Sequence, residues 1–360
     1  MKTHIVAMTA IAMLMCYSPV ARAEASSWAE HFDLSGDFRL RYEAVDEELE
    51  LERRRMRFRA RFGFTATASD TLKVVFRLAT GGDNPVSSNQ SFDDGFSTKD
   101  IGLDLAYVDW RISDALNFYG GKMKNPLFRA GSLQLVWDSD LTPEGFALKY
   151  SSGFLFGTIG GFAVEERGNG GDSLLYALQG GVNLALGEDN KLTLGAGYFA
   201  YTDTIGNAAF HSGKAKGNTL DSSDLYVFEY KDTELFVQFD TRIADWPLQL
   251  FAHAAKNNEV GRQDVAFAFG AKIGSARDKG QPQFSWTYQD IEADAVIGTF
   301  NDSDFGGGGS DARGHVLKAK YGVAKNIFAG GTILVNKVER FQGVEHDYNR
   351  IQLDLEIMFD

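Results

Sequence analysis

The chain has 360 residues, a formal net charge of −13, 44% hydrophobic and 13% aromatic residues, and one cysteine. That acidity argues against nucleic acid as a partner. Beyond the first 23 residues no apolar run approaches the roughly 20 residues of a membrane helix, which excludes a helical inner-membrane protein. Two classes survive: a large soluble all-β protein, or a membrane β-barrel whose apolar residues are spread over every second position.

In chain order, residues 1–23 read as a cleaved export signal. Lys2 supplies the positive start, Ile5 to Met15 a short apolar run, and Ala21-Arg22-Ala23 an A-x-A cleavage site before Glu24. Met15 stands before Cys16 where a lipoprotein site wants a small residue, so a lipid anchor is disfavoured. Cleavage leaves one barrel domain, 24–360, without a cysteine; losing Lys2 and Arg22 and no acid moves its charge to −15. Disulfide and thiolate chemistry are thereby excluded.

The first two mature segments alternate strictly. Arg39 and Arg41, flanked by Asp37 and Glu43, share one face of the first. In the second, Met56, Phe58, Ala60, Phe62 and Phe64 oppose Arg53, Arg55, Arg57, Arg59 and Arg61. A period of 3.6 would smear these charges around a helix, whereas a period of two puts them on one face of a strand. A sandwich strand averages about five or six residues, too short for five arginines in a column. The last segment repeats the pattern, with Ile351, Leu353, Leu355, Ile357 and Phe359 against Arg350, Gln352, Asp354, Glu356 and Met358. Each is long enough for a tilted strand to cross a bilayer.

Between these segments the connections alternate in length. Tight turns are expected at Ser69-Asp70, Ser113-Asp114, Ser151-Ser152-Gly153, Gly187 to Asn190, Ala244-Asp245 and Ala324-Lys325-Asn326. Long polar stretches fall at 81–100, 125–142, 202–222 and 291–312, the asymmetry of an outer-membrane barrel. Lys231-Asp232-Thr233 resembles a turn and would make 17 strands. An even number is required if both termini lie on one side, so 224–243 is expected to be one long strand and the total 16. Gly306 to Gly309 reads as a mobile external loop.

With the apolar set facing lipid, Arg39, Arg41, Arg53, Arg55, Arg57, Arg59 and Arg61 are expected to line a watery lumen. Permanently charged guanidiniums so close need water, acids or a passing anion. They can form a salt-bridged wall, contact solutes, or do both. The other informative place is the third external connection, which carries Leu127, Phe128, Leu133, Leu135 and Trp137 beside Lys122, Lys124, Arg129, Asp138, Asp140 and Glu144. Its apolar residues need a surface. Infolding would narrow the pore and set Asp138, Asp140 and Glu144 across from the arginines as a transverse field; packing over the rim or a neighbouring subunit is the alternative.

Catalytic and metal signals are weak. His31, His211, His253, His315 and His346 have no metal-ligand spacing, no G-x-S-x-G element occurs, and Asn301-Asp302-Ser303-Asp304 begins like a calcium loop but lacks its downstream ligands.

The chain resembles a family of Gram-negative outer-membrane porins, related in style to phosphate-selective porins, over nearly all of its mature length. The resemblance is carried by Gly36-Asp37-Phe38-Arg39-Leu40-Arg41-Tyr42-Glu43, by the Arg53–Phe64 strand, by Gly121-Lys122-Met123-Lys124-Asn125-Pro126, and above all by Trp137-Asp138-Ser139-Asp140-Leu141-Thr142-Pro143-Glu144-Gly145. It implies a 16-stranded all-β transmembrane barrel, a homotrimer, and passive diffusion of small hydrophilic solutes. It departs from the pattern at its end, where Asp360 follows Phe359, and its mature charge of −15 keeps phosphate selectivity itself from carrying over. The expected partners are therefore outer-membrane lipid and lipopolysaccharide and small solutes, anions among them, with no cofactor and no enzymatic activity. A structural or adhesive barrel whose loops at 81–100, 202–222 and 291–312 bind a surface partner is the rival reading, and a lipid hydrolase a remote third.

Overall fold

The computed structural model describes residues 31–168 and 170–359; the expected signal peptide at 1–23 lies outside them. Sixteen antiparallel strands form the sheet. The first eight are β1 (Phe32–Glu47), β2 (Arg53–Ser69), β3 (Leu72–Thr80), β4 (Ile101–Ser113), β5 (Leu116–Lys122), β6 (Glu144–Ser152), β7 (Leu155–Glu165) and β8 (Ser173–Ala185). The second eight are β9 (Lys191–Tyr201), β10 (Lys231–Ile243), β11 (Trp246–Asn257), β12 (Val265–Gly274), β13 (Pro282–Ile291), β14 (Ala312–Ala324), β15 (Ile327–Val338) and β16 (His346–Phe359). Each pairs with its sequence neighbours, and β1 closes on β16 from Gly36↔Phe359 to Glu47↔Tyr348. A two-residue strand, Gln90–Ser91, pairs with β2 at Arg57 and Phe58 from inside the β3–β4 connection. Closure leaves the sheet without an open edge, which hydrocarbon requires.

The number of strands agrees with the sequence, but one boundary does not. Residues 224–230 are not the start of a long strand; β10 begins at Lys231, and the loop before it runs from 202 to 230. Tyr226 and Tyr230 are fully buried there, packed edge-on at 5.6 Å, so this segment folds over the lumen instead of extending the sheet. Seven short connections, at 70–71, 114–115, 153–154, 186–190, 244–245, 275–281 and 325–326, close one end. The six tight turns expected are among them; the seventh, 275–281, is longer and lacks a compact turn signal.

Alternation orients every strand. Leu353, Ile333, Leu317, Phe284, Phe269 and Phe146 point outward and are exposed, while Arg41, Glu43, Gln352, Gln289 and Thr193 point inward and are buried. The seam is tight: Gly36 faces the ring of Phe359, so that a Cβ would lie 2.4 Å from it, and Phe359 stacks on Phe62 at 6.5 Å.

Leu353 is 56% exposed on the outer face at mid-strand. Replacing it with Arg should cost about 2–4 kcal/mol in a bilayer. Urea titration of the barrel refolded into vesicles measures this, and an unchanged midpoint would contradict the assignment of that face to lipid.

Candidate functional site

The inward halves of the strands fall into two groups. From β7 to β12 they carry Phe156, Phe162, Leu175, Ala177, Phe199, Tyr201, Phe236, Phe251, Ala255, Ala266 and Ala268, an apolar lumenal wall. On β1, β2 and β16 they carry Asp37, Arg39, Arg41, Glu43, Arg55, Arg57, Arg59, Arg61, Arg350, Gln352, Asp354 and Glu356. Each wall recruits different material.

The apolar wall holds the third long connection. Residues 125–142 lie inside the barrel, with Phe128 between Phe156 and Phe236 (ring centroids 5.5 and 5.2 Å) and Trp137 edge-on to Phe199 at 5.2 Å. Each such aromatic removed from water contributes roughly 1.5–3 kcal/mol. Backbone groups that leave the sheet must find partners, and lumenal carboxamides supply them. Gln179 Oε1 accepts from Phe128 N–H (2.7 Å), and its Nε2 donates to Phe128 O (2.9 Å). Gln238 Oε1 accepts from Gly131 N–H (2.9 Å). Gly131 has a left-handed φ of +61°, and a Cβ there would sit 2.3 Å from the Phe251 ring, so only glycine permits this approach.

The 202–230 and 292–311 loops complete the filling. Phe210 and Phe300 stack at 5.8 Å, and Tyr201 joins Phe300 at 6.2 Å. Asn218 Nδ2 donates to Ala293 O and Val296 O, both at 2.8 Å, and Ser310 N–H donates to Lys216 O at 2.9 Å. The glycines at 306–309 are packed, not free: a Cβ on Gly309 would lie 2.4 Å from Lys216 O, and one on Gly307 3.2 Å from Tyr348. The sequence expectation of a mobile loop there fails because three neighbouring segments close on this backbone.

The charged wall is ion-paired throughout its middle. Arg41 donates to both oxygens of Asp354 (2.7 and 2.8 Å) and to Asp304 (3.1 Å). Arg59 and Arg61 share Asp37 (2.8 and 2.7 Å) and approach Asp140 at 3.5 and 3.4 Å. Arg55 pairs with Glu43, which also lies 3.8 Å from Arg57. Arg39 donates to Asn89 Oδ1 (2.6 Å) and is 3.9 Å from Glu356. Arg53, at the long-loop end, is exposed and borders a water-accessible space.

Of the loop acids expected to oppose the arginines, Asp140 does so. Asp138 does not: its carboxylate accepts from Asp140 N–H (2.7 Å) and Ser303 N–H (2.8 Å), joining two loops. Glu144 does not either, because it opens β6 and pairs with Lys122 (2.8 Å). Lys124 lies near Arg61 and Arg77, and burial together with their charge lowers its pKa. Arg129 braces its own loop by donating to Trp137 O at 3.3 Å. Two groups outside the expected set matter as much. Asp304 bridges Arg41 and Arg350 (2.5 Å to the latter) on the adjacent β1 and β16 strands, and Arg77 pairs with Asp104 at 2.5 Å. Arg350 shares the inward parity of Asp354 and Glu356 and was legible from it; the approach of Asp304 from a distant loop was not. The supposed calcium-loop start is thus used to neutralise guanidiniums, and no cluster of three candidate metal ligands occurs among the described residues.

The Asp304 bridge separates two chambers. One, about 610 Å³, opens toward the long loops between Arg53, Arg55, Arg57, His211, Lys214 and Arg350. The other, about 370 Å³, lies toward the tight turns between Arg39, Arg41, Lys272, Lys318, Lys320 and Gln289.

The family described as "Putative porin" matches residues 46–233 and 231–359. The chain belongs to that porin family. None of the curated proteins matches it significantly in sequence. Among solved structures, the porin is similar to OprB of Pseudomonas putida, at TM-score 0.62 and 13% identity over 92% of this chain and 95% of that one. OmpF of Salmonella typhi, in complex with daunomycin, follows at TM-score 0.55 and 11% identity over 91% and 97%. OmpT of Vibrio cholerae, in a trimer form, matches at 0.51 and 12% over 91% and 99%. At these identities the likeness is one of fold. Family and barrel together place the porin in the Gram-negative outer membrane.

Burial, and then the charge of Asp302, push the Asp138 carboxyl up to about 8, and burial raises Asp302 as well. Burial would raise Asp304 too, but Arg350 and Arg41 outweigh it and hold that carboxyl well below the usual range. Because burial and Asp302 raise the folded pKa of Asp138 above its unfolded value, the stability its neutral form lends the fold is greatest in acid and is lost as pH rises from the ordinary carboxylate range toward 8. Fluorescence of the neighbouring Trp137, 3% exposed, should shift to the red with a midpoint near pH 8 in the refolded porin. Asp138→Asn should abolish that transition. A transition that persists unchanged in the variant would assign it to another group.

Proposed function

We propose that the porin is a passive channel for small hydrophilic solutes and ions, filtered by a narrow passage between the ion-paired arginine wall of β1, β2 and β16 and the infolded 125–142 loop. The observation that carries this reading is the unequal lumen. Loops dock on the apolar side, and the charged side borders both water-accessible chambers. A sheet closed for adhesion alone has no need to border its chambers with Arg39, Arg41, Arg53, Arg55, Arg57 and Arg350. The constriction residues are then Arg39, Arg41, Arg57, Arg59 and Arg61 on the wall, Asp140 on the third loop and Asp304 on the 292–311 loop. Lys124 and Arg77 extend the positive side. No step of catalysis and no cofactor is needed. The functional unit we propose is a homotrimer embedded among outer-membrane lipid and lipopolysaccharide, with anions favoured where Arg53 and Lys214 face the external chamber.

Planar-bilayer recording tests the channel directly, and failure to form stable open channels would sink it. Replacing Arg57 and Arg59 with Ala removes two positive charges beside Glu43, Asp37 and Asp140 and leaves only Arg55 and Arg61 to balance them, so the reversal potential in a salt gradient should move toward cation selectivity. An unchanged potential would remove these two residues from the conducting path. The adhesive rival predicts a closed lumen in the same recordings.

A further inference from the structure

The chamber beyond the Asp304 bridge has a chemistry that general ion filtering does not require. Five bases border it, Arg39, Arg41, Lys272, Lys318 and Lys320, against three acids, Asp302, Asp354 and Glu356. Arg41 is taken by Asp354, and Lys320 donates to Glu356 at 2.6 Å while covering the Phe328 ring. Lys272 and Lys318 have no carboxylate within ion-pair distance among the described residues. They are held two strands apart by the ladder, with Lys272 opposite Ser285 and Ser285 opposite Lys318. Lys318 in turn faces Thr332 on β15. Asp240 and Asp302 are the acids nearest in field. Asp240 is occupied by Gln238 and Gln249 (2.8 and 2.7 Å), and Asp302 is pushed toward its neutral form by burial.

Around this lysine pair stand neutral polar groups: Gln283, Ser285, Thr287, Gln289, Thr332 and, from the infolded loop, Ser132. Gln289 is 3% exposed and its Oε1 has no hydrogen-bond partner among the described residues. A buried carbonyl oxygen without a donor is unfavourable, and a solute hydroxyl would supply one. Phe251 and Leu133 close one side with apolar surface suited to C–H groups. The space, about 370 Å³, falls in the range of small-molecule sites, roughly 300–1,000 Å³.

We propose that this chamber is a binding station for hydroxy-acid solutes of the aldonate or uronate class. The carboxylate lies between Lys272 and Lys318, and the hydroxyls are read by Gln289, Gln283, Ser285 and Thr332. The inference rests on the channel reading and deepens it. Charge-assisted hydrogen bonds hold the acid end, and the unpartnered Gln289 Oε1 together with the hydroxyls of Ser285 and Thr332 distinguishes a polyhydroxylated acid from a simple anion.

The test uses the refolded full chain in planar bilayers in potassium chloride, with glucuronate, glucose, acetate and inorganic phosphate as probes. Glucuronate should reduce the open-channel current at a concentration about tenfold lower than glucose, acetate or phosphate require, the factor expected of one good charged hydrogen-bond set. Lys272→Gln with Lys318→Gln should raise its half-blocking concentration at least about tenfold while ordinary chloride conductance stays within about twofold. Should the double variant fail to insert, Lys318→Gln alone must show the same direction. Gln289→Leu should weaken glucuronate block several-fold and leave acetate unaffected. Equal block by phosphate and glucuronate would reduce the pair to an unselective anion station and overturn the hydroxy-acid class, as would unchanged block in the lysine variants. Absence of any channel would instead bring down the channel reading itself, and this inference with it.

Discussion

Pairing of the first strand with the last is the contact on which everything else in this porin depends. The β1–β16 ladder removes the only two edges the sheet would expose to hydrocarbon, where each unmet backbone group costs several kcal/mol. It also brings Arg39 and Arg41 of β1 beside Asp354 and Glu356 of β16, residues more than 300 positions apart. The charge balance of the wall therefore exists only in the closed barrel. Gly36 and Phe359 show how tightly the join is made, since the ring occupies the space a Cβ would need.

Closure creates a lumen, and the lumen's two faces decide how it is filled. An apolar wall inside a water-filled barrel is a liability unless something covers it, and the infolded loops supply that cover. Their aromatic residues pack on β7 to β12, with Gln179 and Gln238 meeting the backbone groups that left the sheet. The arginine wall offers no apolar surface for such loops, so polar contacts reach it instead: Asn89 from the β3–β4 connection, Asp140 from the third connection and Asp304 from the 292–311 loop. Such pairs add little net stability compared with apolar packing, but breaking one leaves a costly orphan, which keeps the loops where they are.

Much of this was legible in the sequence, for a simple reason. Strand alternation is a local property with period two, so the outward and inward sets of β1, β2 and β16 can be read directly from residues 36–43, 53–64 and 350–359. Parity then gave sixteen strands despite the turn-like Lys231-Asp232-Thr233. The infolding of 125–142 and the placing of Asp140 opposite Arg59 and Arg61 agree with the sequence reading, but other details of where the loops come to rest do not. Residues 224–230 alternate well enough to pass for strand, yet Tyr226 and Tyr230 are claimed by the lumen core. Gly306 to Gly309 look like a flexible run until Lys216 and Tyr348 close on them. Asp138 and Asp140 are two residues apart with the same chemistry. One faces Arg59 and Arg61, and the other ties two loops together.

The sequence by itself determined the barrel, its strand number, the faces of β1, β2 and β16 that meet lipid, and the concentration of arginine on the first two strands. Those follow from periodicity and composition, which neighbouring residues decide among themselves. Only the tertiary structure decided which acids meet which arginines, how the 125–142, 202–230 and 292–311 loops share the lumen, and that Lys272 and Lys318 stand without carboxylate partners. These are relations between residues tens to hundreds of positions apart, set by where closure and loop docking bring side chains together, and no local pattern encodes them.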